Sequence, residues 1–155
     1  MRLRLIAVGA RQPAWVRAGY EEYARRLPPP FTLELVEIAA GARAGGATDR
    51  ALEREGERVI AAIPKGARVV ALDERGSQWR SLELAQNLGA WQQSSREVAL
   101  LIGGPDGHSP VVAARADEKW SLSSLTLPHG LARVLVAEQL YRACSIRSGH
   151  PYHRE

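Results

Sequence analysis

Three stretches of the chain hold residues whose types and spacing could do chemistry. The first is Gly103-Gly104-Pro105-Asp106-Gly107, directly after the apolar run Val98 to Ile102 and just ahead of Ser109-Pro110. Glycine has no Cβ, so backbone N–H and C=O groups can approach a ligand closely, and a helix start beyond adds unpaired N–H groups. The run is neither G-x-G-x-x-G nor a loop ending in Gly-Lys-Ser/Thr, which argues against the common dinucleotide and phosphate loops. A tight βα turn fits the same residues.

The second stretch is Ser121-Leu122-Ser123-Ser124-Leu125-Thr126-Leu127-Pro128-His129-Gly130. Small hydroxyls and free amides suit the edge of a heterocycle. His129 reads as a base or as a hydrogen-bonded residue beside a helix start. The third is the tail His150-Pro151-Tyr152-His153-Arg154-Glu155, which joins aromatic faces for base stacking to cations for phosphate. A solvated tail is the alternative. Asp73, Glu74, Asp106 and Glu118 show no metal-ligand or glycosidase spacing, and G-x-S-x-G is absent. No metal is expected. Trp15, Trp79, Trp91 and Trp120 are scattered, which points to packing rather than a binding stripe.

The elements that must carry these stretches alternate. Short runs rich in Val, Ile and Leu predict strands at Leu3 to Val8, Phe31 to Ile38, Arg68 to Leu72, Glu97 to Ile102 and Ser123 to Leu127. Helical patterns fall between and after them, at Pro13 to Leu27, Asp49 to Ile63, Ser81 to Gln93, Ser109 to Asp117 and Leu131 to Arg147. This order predicts an α/β fold, a mostly parallel sheet with helices on both faces. Ligands of such sheets sit outside the carboxyl ends of the strands, where the first two stretches fall. On the last helix Glu138, Gln139, Arg142 and Ser145 share one stripe. Arg133 and Arg147 fall on an otherwise apolar side, as a buried guanidinium or as snorkelling ends. Gly41 to Ala47 reads as a surface loop.

Composition sets the frame. The 155 residues, 45% hydrophobic and 25% charged, suit a single domain over 1–155 and exclude disorder or a fibrous repeat. One cysteine, Cys144, closes no intrachain disulfide. No apolar stretch approaches the ~20 residues of a membrane helix, and Leu5 to Val8 is too short for a signal-peptide core, so a cytoplasmic location without membrane contact is expected. The formal charge of +4 modestly favours a polyanion such as RNA. A noncatalytic RNA-binding or ribosome-associated α/β module and a flavodoxin-like nucleotide protein share these features.

With these residues in view, the sequence resembles the small single-domain SPOUT methyltransferases that modify pseudouridine in bacterial large-subunit ribosomal RNA, the RlmH family. The resemblance spans essentially the whole chain. It is carried by Leu5-Ile6-Ala7-Val8-Gly9, Leu100-Leu101-Ile102 with the glycine run, Ser121-Leu122-Ser123 with Leu125-Thr126-Leu127-Pro128-His129, and the tail from His150 to Glu155. Asp106 stands where glutamate is usual, and Gly130 where a second proline is familiar. The resemblance implies a SPOUT fold with a C-terminal trefoil knot, S-adenosyl-L-methionine as methyl donor, N3 of a 23S rRNA pseudouridine as acceptor, the ribosome as partner, and a homodimer. General topology rules argue against knots, so the knot rests on the resemblance alone. It also implies that the donor is held by Leu72, by Gly103 and Gly104, and by Ser123, Ser124, Leu125, Thr126, Leu127 and Pro128. For stabilising the uracil anion the candidates are Arg133, Arg142, Tyr152, His153 and Arg154, with the tail crossing to the partner subunit.

Overall fold

A computed structural model describes residues 1–42, 48–94 and 97–153. The expected loop residues 43–47 and the candidate Arg154 lie outside the described residues. The strands are β1 (Arg2–Val8), β2 (Thr32–Ile38), β3 (Arg68–Gln78), β4 (Glu97–Ile102) and β5 (Glu118–Ser121). They form one sheet in the order β2-β1-β4-β3-β5, with every neighbouring pair parallel. Five helices connect or follow them: α1 (Ala14–Ala24), α2 (Thr48–Ala62), α3 (Ser81–Ser94), α4 (Pro110–Arg115) and α5 (His129–Ser148).

Alternation along each strand decides the two layers. Leu3, Leu5 and Ala7 of β1, with Val98, Leu100 and Ile102 of β4, point to the face covered by α1, α3 and α5, where Tyr20, Leu88, Val136 and Leu140 meet them. Ile6 and Val8, with Val69, Ala99 and Leu101, point to the other face, against Val59 of α2 and Val112 of α4. Because both faces are covered, β1 and β4 read as nearly continuous apolar runs, as central strands of parallel sheets do. The expected α/β architecture with helices on both faces is the one observed.

The fifth strand differs from expectation. Ser123 to Leu127 is not a strand; β5 is Glu118–Ser121, where Trp120 and Ser121 pair with β3. The reason is local hydrogen bonding. Ser121 Oγ donates to the Ser123 carbonyl at 3.0 Å, and Ser123 Oγ accepts the Leu125 N–H at 2.9 Å. Serine side chains thus satisfy backbone groups that a ladder would need. β3 also runs beyond Leu72, to Gln78, through a register shift between Leu72 and Ser77 that sets Asp73 to Gly76 off the ladder.

α5 packs along α1 and α3. Its last turn ends at Gly149, whose φ of +72° is the left-handed cap, and the His150 N–H returns to the Ser145 carbonyl at 2.9 Å. That reversal folds the tail back along the helix. Arg147 is exposed at this end, reaching Gln92 of α3, whereas Arg133 is sealed inside.

Candidate active site

The ends of β3 and β4 and the segment from β5 into α5 surround a cleft of about 740 Å³. Cavities that take small molecules span roughly 300–1,000 Å³. One wall is Leu72 to Arg75, a second is Ile102 to His108, and a third runs from Lys119 through Leu127 to His129. Of the residues expected to hold a donor, Leu72, Gly103, Gly104, Ser123, Leu125, Thr126 and Leu127 line this one cleft. Ser124 lies in the same turn and Pro128 is the N-cap residue of α5, but neither is part of the lining.

The glycine run is folded on itself. The Gly107 N–H donates to the Gly104 carbonyl at 3.0 Å, and Gly107 has a φ of +77° that side chains rarely adopt. At Gly103 a Cβ would stand 2.7 Å from the carbonyl carbon and oxygen of Gly107, so only glycine fits with the turn closed. Beneath it, the buried Glu55 carboxylate accepts the Gly41 N–H at 2.7 Å. Ser109 caps α4, accepting the Val112 N–H at 3.4 Å.

Two imidazoles brace the cleft. His108 Nε2 lies 2.9 Å from the Leu72 carbonyl, and His129 lines the same cleft beside the glycine turn. Burial holds both below the usual histidine range, with Arg133 adding to the effect at His129. Asp73, Glu74 and Asp106 set three carboxylates on the lining against the cations Arg75 and Lys119. Sequence reasoning missed His108, Asp73, Lys119 and Trp120 as parts of the site; their only signal was position, at or near the end of a parallel strand.

The expected RNA-side residues gather elsewhere. Tyr152 Oη donates to Glu138 Oε2 at 2.9 Å, and Arg142 Nη2 stands 3.1 Å from the same oxygen. The Arg142 guanidinium lies 4.9 Å from the Tyr152 ring centroid, and the Tyr141 and Tyr152 rings are 4.6 Å apart. His153 Nδ1 is 3.4 Å from Ser145 Oγ. The polar stripe on α5 is therefore the docking face of the tail, and Glu138, which no motif singled out, is its hub. Desolvation, with hydrogen bonding to Glu138, pushes the Tyr152 hydroxyl up to about 12, so it stays a donor at neutral pH.

Arg133 is not in this cluster. It is 1% exposed, donating to Glu37 Oε2 at 2.7 Å and to the Gly9 carbonyl at 2.8 Å, and so ties α5 to the ends of β1 and β2. Among the described residues, no group of three or more His, Cys, Asp or Glu could hold a metal ion, and no helix is long and apolar enough to cross a membrane.

A family model described as "Predicted SPOUT methyltransferase" matches residues 1–153. The chain belongs to the SPOUT methyltransferase family. Two curated relatives from Burkholderia mallei, strains SAVP1 and NCTC 10229, are each named ribosomal RNA large subunit methyltransferase H. Each is 53% identical over 155 residues, covering 99% of both chains. Among solved structures, a probable methylase family protein from Haemophilus influenzae Rd KW20 aligns with 99% of this chain and 70% of its own. Its TM-score is 0.58 at 12% identity, a likeness of fold alone.

This SPOUT chain's cleft has room and surface for a methyl-donor cofactor. Leu72, Ile102, Leu122 and Leu127 offer apolar walls, the bare glycine turn offers backbone, and the carboxylates outnumber the cations.

Proposed function

We propose that the protein transfers a methyl group from S-adenosyl-L-methionine to N3 of a pseudouridine in large-subunit ribosomal RNA. One observation carries the reading: in a SPOUT chain, the glycine turn after β4 and the Ser123–Leu127 turn face each other across a single cleft of ligand size. The names of the relatives supply the class of acceptor. Such a function places the protein in the cytoplasm with the ribosome.

The donor supplies an electrophilic methyl group on a sulfonium, so the chain's main task is positional. Holding two reactants at near-attack geometry contributes on the order of 7–11 kcal/mol, whereas one acid or base contributes roughly 10²–10⁴-fold. Rigid turns at Gly103-Gly104 and Ser123 to Pro128 grip the donor. The weakly acidic N3–H of the acceptor leaves more easily where cations and hydrogen-bond donors stabilise the anion. Arg142, Tyr152, His153 and Arg154 are assigned that role, with Glu138 holding Arg142 and Tyr152 in place. Arg133 serves by holding the ends of β1 and β2 to α5.

Distance within one chain favours a shared site. Arg142 follows Ala132, the last residue of α5 on the cleft lining, by ten helical residues, about 15 Å at 1.5 Å per residue, so its own cleft lies almost three helical turns away. In a homodimer one subunit's tail reaches the other's donor, and the pair pools basic surface for RNA. The trefoil knot of the C-terminal half belongs to this reading through the family resemblance.

The test is mass spectrometry of rRNA nucleosides after incubating purified protein with S-adenosyl-L-methionine and ribosomes lacking the modification. A new N3-methylpseudouridine is expected. Ribosome binding without donor binding or methylation would overturn the proposal in favour of a noncatalytic module.

A further inference from the structure

The His108 ring has one nitrogen committed and one free to titrate. A carbonyl oxygen only accepts, so at 2.9 Å from the Leu72 carbonyl it is Nε2 that carries the hydrogen. The bond joins Leu72, at the register shift of β3, to the glycine turn after β4, and both segments line the cleft. In the neutral ring Nδ1 holds a lone pair. Protonation at Nδ1 leaves the Leu72 bond intact and adds one positive charge to the lining.

We propose that His108 is a positioning residue with a charge switch: its N–H ties β3 to the glycine turn, and its protonation opposes a cationic donor in the cleft. The inference rests on the donor reading given above. The groups that face His108 are known from each element around it. Asp73 of the β3 bulge favours the charged ring, while Lys119 of β5 and His129 of α5 disfavour it. Asp106 lies on the same turn, and Glu55 of α2 shares the small space beneath it. Desolvation, the largest influence, holds the ring below the usual histidine range, so it is neutral at pH 7 and above. A bound sulfonium lowers it further. Donor affinity therefore falls as pH drops through the titration.

S-adenosylhomocysteine isolates the effect, because it lacks only the transferable methyl group and with it the sulfonium charge, and the methyl group itself does not titrate. Calorimetry gives the ratio of the two dissociation constants, donor over S-adenosylhomocysteine, at about pH 8 and about pH 5, either side of the ordinary histidine range. For the native protein the ratio is expected to rise severalfold on acidification, the direction set by a unit positive charge added beside a cationic ligand. His129 also lines the cleft and adds a rise of its own in native protein and variants, so the share of His108 is the difference between them. In His108→Gln, whose Nε2 keeps the bond to Leu72, the rise should be smaller than in the native protein, leaving the share that His129 contributes. In His108→Leu, both ligands should bind more weakly than in His108→Gln by a common factor. An equal rise in His108→Gln and the native protein would overturn the switch, and equal affinities in the Leu and Gln variants would overturn the tie. Failure of the donor reading looks different: Gly103→Ala would leave both ligands bound as before, or neither would bind the native protein at pH 8.

Discussion

Replacing Gly103 by alanine puts one methyl group where the turn has no room. The added Cβ would lie 2.7 Å from the Gly107 carbonyl carbon and oxygen and 3.1 Å from its Cα. These are backbone atoms, held by the Gly107 N–H bond to the Gly104 carbonyl at 3.0 Å, so no flexible side chain can yield instead. Either the turn stays and the strain destabilises the fold, or the turn moves and the cleft deforms. Overpacking of this kind costs about 1–3 kcal/mol. If the turn moves, the cost falls on the donor and weakens it roughly tenfold to a hundredfold at 1.4 kcal/mol per decade. Calorimetry with S-adenosyl-L-methionine, together with urea unfolding, measures both parts, and their sum should reach that range. Gly104→Ala is the comparison. Its Cβ would meet only side-chain atoms, Val8 Cγ1 at 3.0 Å and Glu55 Oε1 at 3.2 Å, which can shift by tenths of an ångström. A smaller loss is expected there. Donor affinity within twofold of native in Gly103→Ala, with stability unchanged, would refute the claim that this turn forms the donor wall.

Three further outcomes follow from the geometry. Arg133→Met should lower stability by roughly 2–4 kcal/mol, since bonds to a charged group contribute about 1.5–3 kcal/mol each; the melting temperature should fall by about 5–15 °C, and an unchanged melt would deny the tie between α5 and Gly9. Tyr152→Phe removes the bond to Glu138 but keeps the ring under Arg142, so turnover on ribosomes should fall while donor affinity holds; equal turnover would take the Tyr152 hydroxyl out of the mechanism. Burial raises the Cys144 thiol to about 11, so the folded state favours the protonated form. That contribution is complete below the unfolded thiol's titration and is lost as pH rises through about 11, by about 2–3 kcal/mol for two units. Urea midpoints should decline less steeply above about pH 9 in Cys144→Ala, and identical slopes would contradict it.

How much of this was legible beforehand varies by residue. The strands β1, β2 and β4 could be read within a residue or so: β1 and β4 because burial on both faces writes itself as nearly continuous apolar residues, and the edge strand β2 because its Leu and Val residues alternate with Glu. The turns that line the cleft could be located for a related reason: glycines and prolines break such runs where the strands end. Ser123 to Leu127 misled because its alternating Leu residues mimic a strand, while the competing Ser121 and Ser123 bonds depend on side-chain geometry. Glu138 lay in a visible stripe, but nothing along the chain says that the tail folds back onto it.

Local pattern was enough to specify the layered α/β plan, its strand ends and the two turns beyond them, since backbone preference and side-chain alternation act between near neighbours. Packing alone decided that Arg133 turns inward to Glu37 and Gly9, that His108 reaches the Leu72 carbonyl, and that Tyr152 lands on Glu138. These partners stand between 14 and 124 positions apart. Contacts of that span exist only after the sheet has brought distant strands side by side, and the free energy that selects them is a property of the assembled core.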